Sequence, residues 1–336
     1  MTITSVTLFN AGMVAYFLAF LFYTIYTFSK SSWSSKLATG FAWLGVIIQG
    51  AGFILRGIEK ARVNMVSDWT AFYKYAPFTN MYESLMLFGW TAVLLYLLFE
   101  WKYKNKAFGM FVIPLALIGE LSTQILGFSE EAQPLVPALQ SNWLLFHVVT
   151  TFIGYAAAAV SAGVAYAYFA KRDDTTAKDW AVVFVTTWFI FFFIIYSAYR
   201  ENVPLFLAVS AVAAAIFCGI LYLIKKTGVS KIFPSTQLME QIMYQSVAVG
   251  FVFLTIGIIL GAVWAKYAWG GYWSWDPKET WSLITWLVYA AYLHARYIKG
   301  LSGKPLAYFT IVGFLSVIFT YYGVNLIIPG LHSYAQ

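Results

Sequence analysis

Three histidines, His147, His294 and His332, and one cysteine, Cys218, are the residues of this 336-residue chain best suited to hold a metal or attack a substrate. A single cysteine excludes an internal disulfide, a CxxC redox pair and a cysteine-built metal cluster, so thiol chemistry must use a partner's thiols. His147 stands about one turn inside the apolar run "SNWLLFHVVTTF", and His332 follows the last apolar run in "GLHSYAQ". Six of the 14 tryptophans fall between Trp264 and Trp286, around "WGGYWSWDPKETW" at 269 to 281. Two neutral imidazoles facing each other across an aromatic plate suit the two axial positions of a haem iron. The indoles would supply stacking surface for the porphyrin, with Trp269, Trp273 and Trp275 the expected contacts.

Each feature has a plainer reading. A histidine at a helix end often serves as an interfacial hydrogen-bonding group, and tryptophans at a membrane boundary commonly form an aromatic belt. A belt does not need six indoles interleaved with Gly270, Gly271, Asp276 and Glu279. Asp276, Pro277 and Glu279 have the spacing of a helix N-cap, a first-turn proline and a capping box, so their expected task is to shape the turn. Lys278, Lys266 and Arg56 remain candidates to pair with propionates or lipid phosphates. Glu83 and Glu120 lack a partner in sequence, and each is read as orienting a helix or relaying a proton.

The elements that position these groups are membrane spans. Hydrophobic residues make up 61% of the chain and charged residues 10%, against roughly 25% charged in soluble domains. Apolar runs long enough to span occur near 9–28, 38–56, 81–99, 107–127, 143–170, 180–198, 203–224, 242–265, 280–298 and 305–326. The predicted fold is an all-α polytopic integral membrane helical bundle of about ten helices, forming a single membrane domain over 1–336. The first lysine, Lys30, comes after the first apolar run, which is the wrong order for a secretory signal. With the N-terminus outside, inner loops hold 14 of the 21 lysines and arginines, as the positive-inside rule requires. Both termini then lie on the outer, periplasmic side. The net charge of +7 is read as topology, and no nucleic-acid partner is expected. The tryptophan-rich segment 264–282, His147 and His332 share the outer face. His294 lies 14 residues beyond Thr280, about 21 Å down a helix, in the inner half of the bilayer. An ionisable group at that depth is a functional candidate, and it suggests a transport route with two stations.

The segment "GAVWAKYAWGGYWSWDPKETWSLITWLVYAAYLHARY" closely resembles the signature of the CcsA (ResC) family of system II cytochrome c biogenesis proteins, within the tryptophan-rich (WWD) haem-handling superfamily. The likeness extends to "FTNMYESLMLFGW", "LQSNWLLFHVVTTFIGYAA" and "TYYGVNLIIPGLHSYAQ". It implies that His147 and His332 ligate haem iron beside the tryptophan-rich segment. His294 would help form an inner haem site with a histidine of the partner CcsB (ResB). Haem b, as transported substrate, would enter from the cytoplasmic side, reach the outer site reduced, and be joined through thioethers to the CxxCH motif of apocytochrome c. The activity implied is that of a cytochrome c synthase (haem lyase) component acting with CcsB, while thioredoxin-like proteins reduce the substrate thiols. The membrane would be the bacterial inner membrane, or the thylakoid for a plastid-encoded chain. The family usually has eight spans. The surplus pair at about 179–224 reads as an inserted helical hairpin between haem-handling spans 1–170 and 236–336, and a hairpin preserves the sidedness of the later spans.

Three other readings compete. A b-type cytochrome subunit would be expected to pair histidines at one depth within its helices, and three histidines do not supply such pairs. A secondary transporter would show broken helices and internal repeats. A CcmC-type haem exporter handing haem to a chaperone is the nearest alternative.

Overall fold

The computed structural model describes residues 3–65, 77–199, 202–328 and 330. The helices are α1 (Ser5–Ser29), α2 (Ser32–Val63), α3 (Met81–Tyr103), α4 (Gly109–Ile125), α5 (Asn142–Lys171), α6 (Ala177–Tyr199), α7 (Val203–Lys226), α8 (Thr236–Trp269), α9 (Pro277–Lys299) and α10 (Lys304–Ile318). A π-turn, Phe319–Gly323, carries α10 into a last short turn, α11 (Val324–Ile327). All ten apolar runs of the sequence are helical, and no strand occurs among the described residues. Helices are required because a backbone in hydrocarbon must satisfy its own hydrogen bonds.

Local signals set the ends. Side chains of Thr4, Asn80, Ser141, Asn202, Ser235 and Asp276 accept from first-turn amides, satisfying donors that have no intrahelical partner. Lys30, Lys104, Gly270 and Gly300 stop helices in the left-handed conformation. Eight described helices are long and apolar enough to cross a membrane. Of the two other predicted spans, α4 has 17 residues, about 25 Å, slightly less than a hydrocarbon core of about 30 Å. The other, α9, carries Lys278, Glu279, Arg296 and Lys299 at its ends and is amphipathic rather than uniformly apolar. The chain is thus an integral membrane protein with an all-helical bundle.

At the centre α5 and α8 pack along their length. Without a hydrophobic driving force between helices in lipid, close approach depends on small residues, and α8 presents Gly250, Gly257 and Gly261 to α5. A Cβ at these positions would lie 3.2 Å from Ala157 Cβ, 2.5 Å from Thr151 Oγ1 and 2.7 Å from the His147 ring, respectively. The α1–α2 hairpin covers one side, with Tyr16 against Gly45 and Phe9 against Gly52. The α6–α7 hairpin lies at another side. Lys304 donates to Asp179 at 2.9 Å and Tyr308 donates to the same carboxylate, tying α6 to α10. Val209, Val212, Ile216, Ile220 and Leu223 of α7 face outward.

Ser5 and Gly330, near the two termini, lie at the same end of the bundle. The Ser5 amide donates to Glu59 at 2.8 Å near the end of α2. Gly330 abuts the head of α9, where a Cβ would meet Asp276 Oδ2 at 2.5 Å.

Candidate functional site

Four elements converge on one pocket at this end: the start of α3, the first turns of α5, the last turns of α8 with the tryptophan-rich loop, and the head of α9 backed by the π-turn. Its cavity volume is about 150 Å³, within about 1210 Å³ of empty space when the open mouth is included. The lining includes His147, Thr151, Tyr155, Trp264, Trp269, Trp273, Lys278, Tyr321 and Asn325.

His147 is placed by the α5 cap and the glycine face of α8. Ser141 Oγ accepts from the Trp143 amide at 3.3 Å and starts the helix. One turn further, His147 Nδ1 lies 2.7 Å from the carbonyl oxygen of Gly257. A carbonyl only accepts, so Nδ1 carries the proton and the lone pair is on Nε2, the arrangement common among metal-ligating histidines. The ring stacks parallel to Trp264, with centroids 6.3 Å apart and planes at 10°. Gly261 permits this position. Gly261→Ala is expected to displace the imidazole and weaken binding of a metal-bearing ligand about tenfold or more. Gly271→Ala, with open space around its Cβ position, should leave binding unchanged in the same titration.

The six tryptophans divide by task. Trp264 is buried, and its Nε1 donates to the Ala138 carbonyl at 2.9 Å, fixing the end of α8 to the turn before α5. Trp281 packs on Phe319 of the π-turn with centroids 4.0 Å apart, and Trp286 donates to Thr255 Oγ1 at 2.8 Å. These three brace the frame. Trp269 and Trp273 line the pocket, and Trp264 also presents a surface to it. Trp275 does not line it; it is 69% exposed, edge-on to Trp273 with centroids 5.7 Å apart. The indoles do not form the flat plate expected from sequence: Trp269 meets Trp264 at 64° and Trp273 meets Trp275 at 88°.

The turn is built as its residue types dictate. Asp276 Oδ1 accepts from the Lys278 amide at 2.9 Å, and Glu279 Oε2 accepts from the amides of Ser274 and Asp276 at 2.7 and 3.3 Å. This is the predicted capping box. Trp275 reaches it with φ of +59°, a conformation that non-glycine residues seldom adopt.

His294 lies elsewhere. It is exposed on α9, sixteen residues beyond Lys278, about 24 Å along the helix, on a stripe with Leu287, Ala291 and Ile298. His332 lies outside the described residues.

The candidate cations separate by burial. Lys266 donates to the Gly270 carbonyl at 2.9 Å and sits over the Tyr272 ring. Arg56 is not available to an anion in the pocket: its Nε donates to Glu83 at 2.9 Å and its Nη1 to the Glu130 carbonyl at 2.8 Å. Lys60 joins from one turn away, 2.6 Å from the other oxygen of Glu83. Glu83 therefore has two partners, and the Thr79 amide donates to it at 2.9 Å beside the pocket. Glu120 is buried against Gln49, whose amide lies 3.0 Å from each carboxylate oxygen. Of the three cations, only Lys278 lines the pocket.

Sequence reasoning gave no role to Ser84, Thr285, Tyr321 or Asn325, which line the same space. Tyr321 and Ser84 hydroxyls lie 2.6 Å apart, and Thr285 and Thr320 hydroxyls 2.9 Å apart. Thr320 and Tyr321 within the π-turn and Asn325 just after it line the pocket; such an irregularity is often found at functional sites. The segment "TYYGVN" was the available signal.

The fold and site define a polytopic membrane protein that holds a histidine and indoles over an open pocket at one end of a helical bundle. The family model described as Cytochrome C assembly protein matches residues 78–332. A Cytochrome c biogenesis protein CcsA of Heterosigma akashiwo is 38% identical over 304 residues, covering 87% of this chain and 89% of that one. A Cytochrome c biogenesis protein CcsA of Picosynechococcus sp. is 36% identical over 285 residues, covering 77% and 80%. The solved structure of Cytochrome c Heme Lyase CcmF matches with a TM-score of 0.61 at 15% identity, a likeness of fold. It covers all of this chain, which spans half the length of that one. The chain belongs to the CcsA family of cytochrome c assembly proteins. Its role lies in cytochrome c biogenesis.

Proposed function

We propose that this chain brings haem b to the pocket at the tryptophan-rich end of the bundle and presents it there for covalent attachment to apocytochrome c. The observation that carries the reading is His147, tautomer fixed by the Gly257 carbonyl, in the same pocket as Trp269 and Trp273. His332, two residues past Gly330, is the proposed second axial ligand. The pocket end is proposed to be the outer face, periplasmic in a bacterial inner membrane or lumenal in a thylakoid. His294, on the exposed stripe of α9, is proposed to share an inner haem with a histidine of CcsB.

The attachment adds each thiol S–H across a haem vinyl group: sulfur bonds to one vinyl carbon and hydrogen to the other, with no net oxidation. Reduced thiols are required, and thioredoxin-like partners are proposed to supply them because Cys218 cannot form a pair within the chain. Residues of the pocket contribute orientation, which can account for much of a barrier when two partners must meet in one geometry.

The chain purified with a CcsB-type partner should carry low-spin haem by absorption spectroscopy. Lack of haem, with c-type cytochromes still matured in the cells that supplied the complex, would overturn the reading. His294→Ala should lower the haem that reaches the pocket, read as haem per protein in the purified complex. Normal loading in that variant would remove His294 from the route.

A further inference from the structure

We infer that Lys278, supported by Asn325, is the anchor for a carboxylate of the molecule that occupies the pocket, which under the proposed function is a haem propionate. The inference rests on that reading for the identity of the ligand. Its basis is the contrast between the cations at this end of the bundle. Arg56 and Lys60 are buried and share the carboxylate of Glu83. Lys278 lines the pocket, and none of the ion pairs among the described residues includes it. Its Nζ donates to a neutral amide, Asn325 Oδ1, at 3.0 Å. Asn325 is itself buried and directs its Nδ2 to Met81 Sδ at 3.3 Å, which orients its oxygen toward the lysine.

The nearby carboxylates are committed to the turn. Asp276 caps the Lys278 amide, and Glu279 accepts from Ser274 and Asp276. Among the described residues no carboxylate lies within ion-pair distance of this ammonium, and Asp276 acts on it only at longer range. Burying a cation without a direct partner is unfavourable, and a carboxylate entering the pocket would add a charge-assisted hydrogen bond. The capping box fixes the backbone from which the lysine extends, so the cation's position is set before the ligand arrives. Haem carries its propionates on the edge opposite its vinyl groups. Propionate at Lys278 therefore turns the vinyl edge away from the α9 head, leaving it for the incoming thiols.

The test uses the full chain in detergent, titrated with haem b and with its dimethyl ester, which keeps the iron and the ring but lacks both carboxylates. Wild type should prefer haem to the ester by about ten- to a hundredfold, the range for a hydrogen bond to a charged group. Lys278→Met should bind both with similar affinity, close to that of wild type for the ester, and Lys278→Arg should keep a preference. If Lys278→Met binds neither, Lys278→Gln decides by the same ratio, since a folding defect would weaken both ligands alike. An undiminished preference in the neutral variants overturns the anchor while leaving the proposed function standing. A wild type that binds neither ligand overturns both.

Discussion

His147→Ala should lower haem bound at the pocket by more than the roughly 10–100-fold that removal of an orienting partner costs at a metal site, because the proposed ligand itself is lost. Maturation of c-type cytochromes should fall with it. The variant should remain folded: His147 is only partly buried, and alanine is well accommodated in the second turn of a helix. Haem titration of purified protein and haem staining of cell membranes for covalent cytochromes check the two parts. Retention of both would remove His147 as a ligand. Its orientation through Gly257 predicts a lesser effect for Gly261→Ala than for His147→Ala, since the displaced ring keeps its chemistry and loses its placement.

Glu83→Gln should be the most destabilising single change at this end of the bundle. Glu83 is fully buried and pairs with both Arg56 at 2.9 Å and Lys60 at 2.6 Å. Among the described residues, removing the acid leaves the two buried cations with only Glu59, 3.7 Å from Arg56, as an ionic partner. Breaking such a network by deleting one partner costs about 3–5 kcal/mol. Thermal unfolding in detergent, or yield of monodisperse protein, should show the loss. Glu83→Gln combined with Lys60→Met should recover part of it, because one of the stranded charges is removed. A Glu83→Gln protein as stable as wild type would show that the network is balanced otherwise. Because Thr79 joins Glu83 to the pocket wall, the single variant should also weaken haem binding.

The sequence carried the helices and the turn, and for identifiable reasons. Ten apolar runs became ten helices because hydropathy measures what a lipid environment selects, and caps such as Asn80, Ser141 and Asp276 act over three residues of chain. The Asp276–Glu279 box is local chemistry and was legible in full. Features that depend on distant segments were not legible. Glu83 lies 27 residues from Arg56, and only the fold reveals that they share a hydrogen bond, so Arg56 read as an available cation. The π-turn, in or just after which Tyr321 and Asn325 line the pocket, is invisible to a hydropathy pattern because one extra residue per turn leaves composition unchanged. The tryptophans were located correctly as a cluster. Their division into frame and lining depends on ring orientation, which spacing does not encode.

Under the proposed function, haem sits in the pocket between α5, the end of α8 and the head of α9. The measurement that addresses it most directly is a cryo-electron microscopy map of the chain purified with its haem. Porphyrin density is expected in that pocket, with the iron at His147 Nε2 and a ring edge at Trp269 and Trp273. Haem seen only at the exposed His294 face, with the pocket empty, would contradict it.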